Sequence, residues 1–343
     1  MGSHPPAARS VWRRRTVASD GVSIGSLLGS SQAMERVRTF AQRASEVNVP
    51  VLILGETGTG KSLLGRVIHR ESTRASGPYL AINCAGIPDS LFESEFFGHQ
   101  RGAFTGAREA RRGLLEQAQG GSLFLDEVGE LSVPQQAKLL TALEEGEVRR
   151  LGGEGTTKVD VRILAATSRD LAREMVEGGF RRELYHRLAV LTCRMPALRT
   201  RREDVPLLAR RLLRVLQRRH GRHPSHLSPE ALRYLEARPW PGNVRELSHL
   251  LEAALILSDG GVLGIEALRA AGHMAEGVVP PGLQEAKRES ETRRYSFLGG
   301  EEEEREVIRV ALGKARGNKS RVARELGMAR NTLRQKLRKY DLG

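Results

Sequence analysis

The stretch VPVLILGETGTGKSLLGRVIH, Val49 to His69, decides the fold. An unbroken apolar run gives way to a glycine-rich turn, and then Leu63, Leu64, Val67 and Ile68 recur at helical spacing. That order reads as a buried strand, a tight turn and an amphipathic helix. Within it, Gly55, Glu56, Thr57, Gly58, Thr59, Gly60, Lys61 and Ser62 fit G-x-x-x-x-G-K-[ST] in the strand-to-helix context that the motif requires. Glycines let backbone N–H groups turn inward around a β-phosphate, and the helix N-terminus adds its positive dipole. Lys61 supplies a point charge for the β- and γ-phosphates, and Ser62 a hydroxyl for Mg²⁺.

Working outward, LFLDE (Leu123–Glu127) is a second apolar strand that ends in two acids. Asp126 is placed to hold Mg²⁺ through its water shell, and Glu127 to polarise an attacking water. The two motifs together describe an ATPase site. DVRILAATSRDL (Asp160–Leu171) is a third strand, and strands alternating with helical segments argue for a parallel sheet covered by helices. Beyond MPALRTRREDVPLL the pattern is helical to about Leu257. The expected organisation is a basic, disordered extension over 1–24, an α/β nucleotide-binding subdomain over 25–195 and a helical lid over 196–257. A linker over 258–300, with room for one short helix, precedes a DNA-binding domain over 301–343.

The 343 residues carry a net charge of +14, which favours an acidic partner, nucleic acid ahead of membrane. No apolar run approaches the length of a membrane span, and Arg13–Arg15 are followed by no apolar segment, so a soluble cytoplasmic protein is expected. Cys84 and Cys193, in no CxxC arrangement, read as reduced, buried thiols. His220, His223 and His226 are spaced like metal ligands, but Pro224 interrupts them and no Cys or acid completes a tetrahedral set.

GHQRGAFTGARE, Gly98 to Glu109, fits neither a buried strand nor an ordinary solvent loop. Gly102 and Gly106 bound a short arm with Ala103, Phe104, Thr105 and Ala107. A large apolar residue held out on a loop means recognition more often than accident.

Taken together, the chain resembles the bacterial enhancer-binding proteins, the AAA+ activators of sigma-54 RNA polymerase, from about Leu28 to Leu257 and again from about Glu301. GETGTGK and LFLDE would fit many AAA+ proteins, whereas ESEFFGHQRGAFTGA (Glu93–Ala107) is far more specific. The fold implied is an α/β AAA+ P-loop ATPase, with a parallel sheet core and a helical lid, plus a small all-α helix-turn-helix domain. The resemblance makes residues Gly102–Ala107 the loop that grips sigma-54, raised or lowered by nucleotide state. It makes Asn83 the residue that holds Glu127 inactive, and Thr167 the sensor of the γ-phosphate. Arg181 and Arg187 become arginines given to a neighbouring subunit's ATP, and Arg245 the second sensor in the lid. Four positions depart from the family pattern. Ser62 replaces a Glu, Gln100 replaces a Glu before the arm, and Arg182 replaces an acid beside Arg181. Ser168 replaces the Asn that follows the sensor threonine, which puts the tightness of coupling between hydrolysis and arm movement in doubt.

REVIRVALGKARGNKSRVARELGMARNTLRQKLRKYDLG, from Arg305, resembles the Fis-type helix-turn-helix. Val322, Ala323 and Leu326 face inward on one helix, and Leu333 and Leu337 on the next. From Asn318 to Tyr340 eight basic residues stand against the single acid Glu325, a balance suited to a phosphate backbone. Asn331, Arg334, Gln335 and Arg338 point away from the leucines, and with Arg330 and Thr332 they are the candidates for contact with double-stranded enhancer DNA.

The expected function is an ATP-driven activator that assembles as a ring, by resemblance a hexamer, and remodels sigma-54 polymerase from closed to open complex. Two alternatives are a nucleotide-sensing DNA-binding regulator that does not engage sigma-54, and an AAA+ chaperone or helicase loader. An intact GAFTGA argues against the first and a Fis-like C-terminus against the second. Residues 1–24 are too few for a receiver or ligand-sensing domain, so control is expected from a partner protein or expression level unless the chain is a truncated form.

Overall fold

The computed structural model describes Arg15, Thr16 and residues 22–221, 226–258 and 261–276, together with Arg305, Arg309, Val310, Leu312, Val322, Leu337 and Tyr340. The chain divides into two compact units, Met1–Ala271 and Gly272–Gly343.

The first unit is built on five parallel strands: β1 (Val51–Leu54), β2 (Tyr79–Asn83), β3 (Ser122–Asp126), β4 (Arg162–Thr167) and β5 (Leu191–Arg194). Their spatial order is β2-β3-β4-β1-β5, and Arg15–Thr16 adds an antiparallel edge beside β2. Side chains on successive strand positions point to opposite faces, and the burial follows that alternation. Leu52, Leu123, Leu125, Ile163 and Ala165 share one core, while Val51, Ile53, Phe124, Leu164 and Ala166 share another. Helices α1 (Gln32–Glu46) and α2 (Lys61–Arg70) cover the second face with Val37, Ala41, Leu64, Val67 and Ile68. Helices α3 (Asp89–Phe96), α4 (Val133–Glu145) and α5 (Arg182–Leu188) cover the first with Phe92, Phe96, Leu139, Leu184 and Leu188. A sheet buried on both faces needs strands that are apolar throughout, which is why β1 and β3 read as unbroken runs.

Four helices form the lid: α6 (Val205–His220), α7 (Pro229–Ala237), α8 (Asn243–Leu257) and α9 (Ile265–Glu276). Their core surrounds the fully buried Trp240 and includes Leu263, Leu268 and Ala271. Val262–Leu263 pairs in parallel with His226–Leu227. The expected linker from residue 258 is therefore corrected: the helical layer continues past Leu257, because α9 carries apolar side chains that bury against α6–α8. The lid is pinned to the start of α1 by the buried Asp204, which accepts the Ser30 and Ser31 N–H groups at 2.6 and 2.8 Å and the Ser31 hydroxyl at 2.6 Å.

In the second unit Val322 and Leu337 are buried and helical, while Arg305, Arg309 and Val310 are exposed. The DNA-contact candidates Arg330, Asn331, Thr332, Arg334, Gln335 and Arg338 lie outside the described residues, as does His223.

Candidate functional site

The register of the sheet assembles the site. It sets Leu54 beside Thr167 and Asn83 beside Asp126, so the carboxyl ends of four strands open onto one crevice, the usual ligand position in open α/β sheets. The phosphate loop leaves β1 and ends at Gly60, the N-cap of α2. Gly58 sits at φ +80, and a Cβ there would stand 2.3 Å from the Gly242 carbonyl of the lid, so both the conformation and the close approach require glycine. The lid reciprocates: the Val244 N–H donates to Gly58 O at 3.0 Å, and the Asn243 amide donates to Thr57 O at 3.0 Å.

The Lys61 ammonium, only 5% exposed, donates to Gly55 O at 2.9 Å and to Glu127 Oε1 at 3.2 Å. The Ser62 hydroxyl donates to Asp126 Oδ2 at 3.0 Å. Burial raises the Asp126 carboxyl above the usual carboxylate range, against the pull of Ser62. Burial pushes Glu127 the same way, but the Ser168 N–H, the Ser168 hydroxyl and Lys61 outweigh it and hold that carboxyl low. Glu127 has φ +52 and ψ +49, a left-handed backbone uncommon for a non-glycine residue and concentrated at functional sites.

These groups line one cavity of about 750 Å³. Thr57 to Ser62, Asn83, Asp126, Glu127, Ser168 and Arg245 contribute its polar wall. Leu27, Leu28 and Met34 before and on α1, with Leu208, Leu212 and Val244 of the lid, contribute its apolar wall. Such a combination, apolar for a flat base and cationic for phosphates, suits a nucleotide. Gly55 and Glu56 are not part of the lining: the Glu56 carboxylate turns to Arg199 in a two-point ion pair at 2.5 and 2.6 Å.

The arm lies at the far end of α3. Gly98–His99 pairs antiparallel with Arg111–Arg112, and Gly102 N–H donates to Ala107 O at 2.8 Å, closing the loop between them. Gly102 and Gly106 have φ +82 and +107, and a Cβ on either would meet nothing within 4 Å. Only the backbone demands glycine there. Phe104 is 44% exposed, its ring edge-on to His99 at 5.0 Å, and Thr105 is exposed beside it. Next to the arm, Gln100 N–H donates to Leu151 O at 2.9 Å, tying it to the ribbon Glu147–Arg149/Thr156–Lys158.

Three family descriptions match in order along the chain: the sigma-54 interaction domain over 27–194, the AAA+ ATPase lid domain over 199–277 and the Fis family of bacterial regulatory proteins over 301–340. The regulatory protein AtoC of Escherichia coli is 41% identical over 325 residues, which cover 93% of this chain and 68% of AtoC. The chain belongs to the bacterial enhancer-binding proteins. The Nif-specific regulatory protein of Enterobacter agglomerans is 43% identical over 92% of the chain, but the match spans only 60% of that protein. Among solved structures, NtrX from Brucella abortus in complex with ATP superimposes with a TM-score of 0.66 at 35% identity, over 92% of this chain and 69% of that one.

The remaining candidates fall into place around this AAA+ core of an enhancer-binding protein. Arg245 lines the cavity from the first turn of α8. Arg181 and Arg187, at the start and end of α5, do not line it: Arg181 pairs with Glu183 at 3.6 Å, and Arg187 donates to Leu143 O. The Asn83 side chain is engaged with its own turn, accepting the Ala85 N–H at 3.0 Å, so Asn83 does not hold Glu127 as expected. Nor does Thr167 line the cavity; it is fully buried and accepts the Arg169 N–H at 3.1 Å. Ser168, next along the chain, touches the Glu127 carboxylate. Sequence reading marked Ser168 as a departure from pattern but assigned it no contact. It missed Arg199 and Asn243 altogether, because their partners lie far away in the chain.

Proposed function

We propose that this chain is an ATP-driven activator of sigma-54 RNA polymerase that binds upstream DNA and converts closed to open promoter complexes. The observation that carries the reading is one path through the fold. Asn83 and Ala85 line the nucleotide cavity, and the chain then runs directly through α3 into the glycine-bounded arm that presents Phe104 and Thr105. A change in what fills the cavity thus has a short, packed route to the arm, with Phe92 and Phe96 stacked at 4.3 Å along it.

In this reading ATP occupies the cavity with its phosphates on the N–H groups of Thr57–Gly60 and on Lys61. Ser62 and Asp126 would hold Mg²⁺. The fit is favourable: both donors are oxygens, they lie 3.0 Å apart, and Asp126 is a buried acid without a cation beside it. The ion would supply charge neutralisation at the β- and γ-phosphates. Glu127 accepts the proton of the attacking water, and Arg245 follows the γ-phosphate from the lid. Arg181 and Arg187 complete a neighbouring copy's site, which makes the working form a ring.

Open-complex formation by purified sigma-54 polymerase, on a promoter carrying the upstream site, tests the whole. It should require this protein together with hydrolysable ATP. ATP turnover and DNA binding without open-complex formation would instead support the nucleotide-sensing regulator.

A further inference from the structure

The Glu127 carboxylate is held at both oxygens. Oε2 accepts the Ser168 N–H at 2.8 Å and the Ser168 hydroxyl at 2.9 Å, while Oε1 faces Lys61 Nζ at 3.2 Å. Ser168 directly follows β4, whose last residue is fully buried and which pairs with β3, the strand that ends at Asp126. Its donors are therefore fixed to the sheet. The other groups that might hold Glu127 are committed elsewhere: Asn83 to Ala85 N–H, Thr167 to Arg169 N–H, and the Arg169 guanidinium to Glu130 at 2.5 and 2.7 Å.

We infer that Ser168 is the positioning residue that aims Glu127 at the attacking water. This rests on the proposed role of Glu127 as base. Lys61 sits where a γ-phosphate comes to rest, and when it turns its charge to that phosphate, Oε1 loses its only donor. Oε2 stays pinned by two donors from one rigid residue, which fixes the plane of the carboxylate. Oε1 is left facing the phosphate end of the cavity with a free lone pair for the water proton. The left-handed backbone of Glu127 directs the side chain along β4 rather than back towards Asn83, and strain of this kind persists where the surroundings enforce it. A serine in place of an amide side chain thus keeps a close contact with Glu127.

The test is full-chain Ser168→Ala, which retains the backbone N–H and removes one donor of two. Ser168 is exposed, so the truncation leaves no buried cavity. A lost hydrogen bond to a charged group predicts a fall in kcat of about tenfold. KM for ATP and the affinity for a fluorescent ADP analogue should stay within about twofold, because the interaction serves the reacting water rather than the bound nucleotide. Ser168→Thr, which keeps the hydroxyl, should recover most of the rate. The inference is overturned if Ser168→Ala leaves kcat unchanged, if nucleotide affinity falls in step with kcat, or if Ser168→Thr binds nucleotide normally yet is as slow as Ala. Glu127→Gln separates the two levels. If it keeps full turnover, the base assignment itself fails; if it is inactive while Ser168→Ala is normal, only the role of Ser168 does.

Discussion

Glu56 shows how a motif residue can serve the fold instead of the ligand. Its carboxylate is forked to Arg199 and accepts the Asn243 amide at 3.2 Å. Hydrogen bonding from Arg199 is the main cause that lowers its pKa to about 2, with Asn243 adding to it and burial opposing. A carboxyl whose folded pKa is depressed stabilises the fold above its unfolded value of 4.5, and that contribution is lost as pH falls through about 2. The thermal midpoint of the wild type should therefore exceed that of Glu56→Gln at neutral pH, with the gap closing as pH drops below 4.5 towards 2. Both partners are partly exposed, so added salt should narrow the gap as well. A midpoint difference that ignores both pH and salt would reduce Glu56 to a packing residue. The phosphate loop was legible because its eight residues are contiguous and each has a reason to be there. The Glu56–Arg199 pair spans 143 residues of sequence, and no spacing rule connects its ends. Ser168 was legible only as an oddity, since its meaning depends on which carboxylate the strand register brings beside it.

At the level of elements, legibility followed burial. The runs at β1, β3 and β4 stood out because both of their faces are covered. β2 is polar-tipped and mostly half-buried, and β5 alternates Thr and Arg with Leu and Cys; neither announces itself as a strand. Helix α9 hid in a stretch rich in glycine and charge. The arm was legible for the opposite reason, since glycines flanking an exposed aromatic have no use in a core. Phe104 makes one ring contact, with His99, and Thr105 is exposed. Phe104→Ala or Thr105→Ala should thus leave nucleotide affinity within about twofold of wild type and the stability change small, as surface truncations usually do. Open-complex formation should be lost. Parallel loss of ATP binding would mean that the arm is structural, with His99 and Phe104 holding α3 in place.

At the scale of the molecule, nucleotide chemistry and DNA recognition are separate in the chain. Every residue that lines the nucleotide cavity falls between Ser26 and His249, whereas the Fis-family match covers 301–340. Deleting 301–343 should accordingly abolish specific DNA retention in a mobility-shift assay while ATP turnover at high protein concentration persists. The cavity is also incomplete within one chain. The arginine on its wall beside the phosphate loop is Arg245, from the lid, while Arg181 and Arg187 stand away from it on α5. If those two complete a neighbour's site, alanine at either should lower turnover by orders of magnitude while nucleotide still binds through Lys61. Arginines that neutralise charge on a transferring phosphoryl group contribute about 10³–10⁵ in rate. Turnover of the wild type should then rise faster than linearly with protein concentration as rings assemble. Mixing Arg187→Ala with Glu127→Ala gives the decisive case, because each alone is nearly inactive for a different reason. In mixed rings some interfaces join an intact Glu127 to an intact neighbouring Arg187, and partial activity should return with a maximum near equal proportions. Rings that demonstrably contain both variants yet recover no turnover at any ratio would place the role of Arg187 within its own subunit.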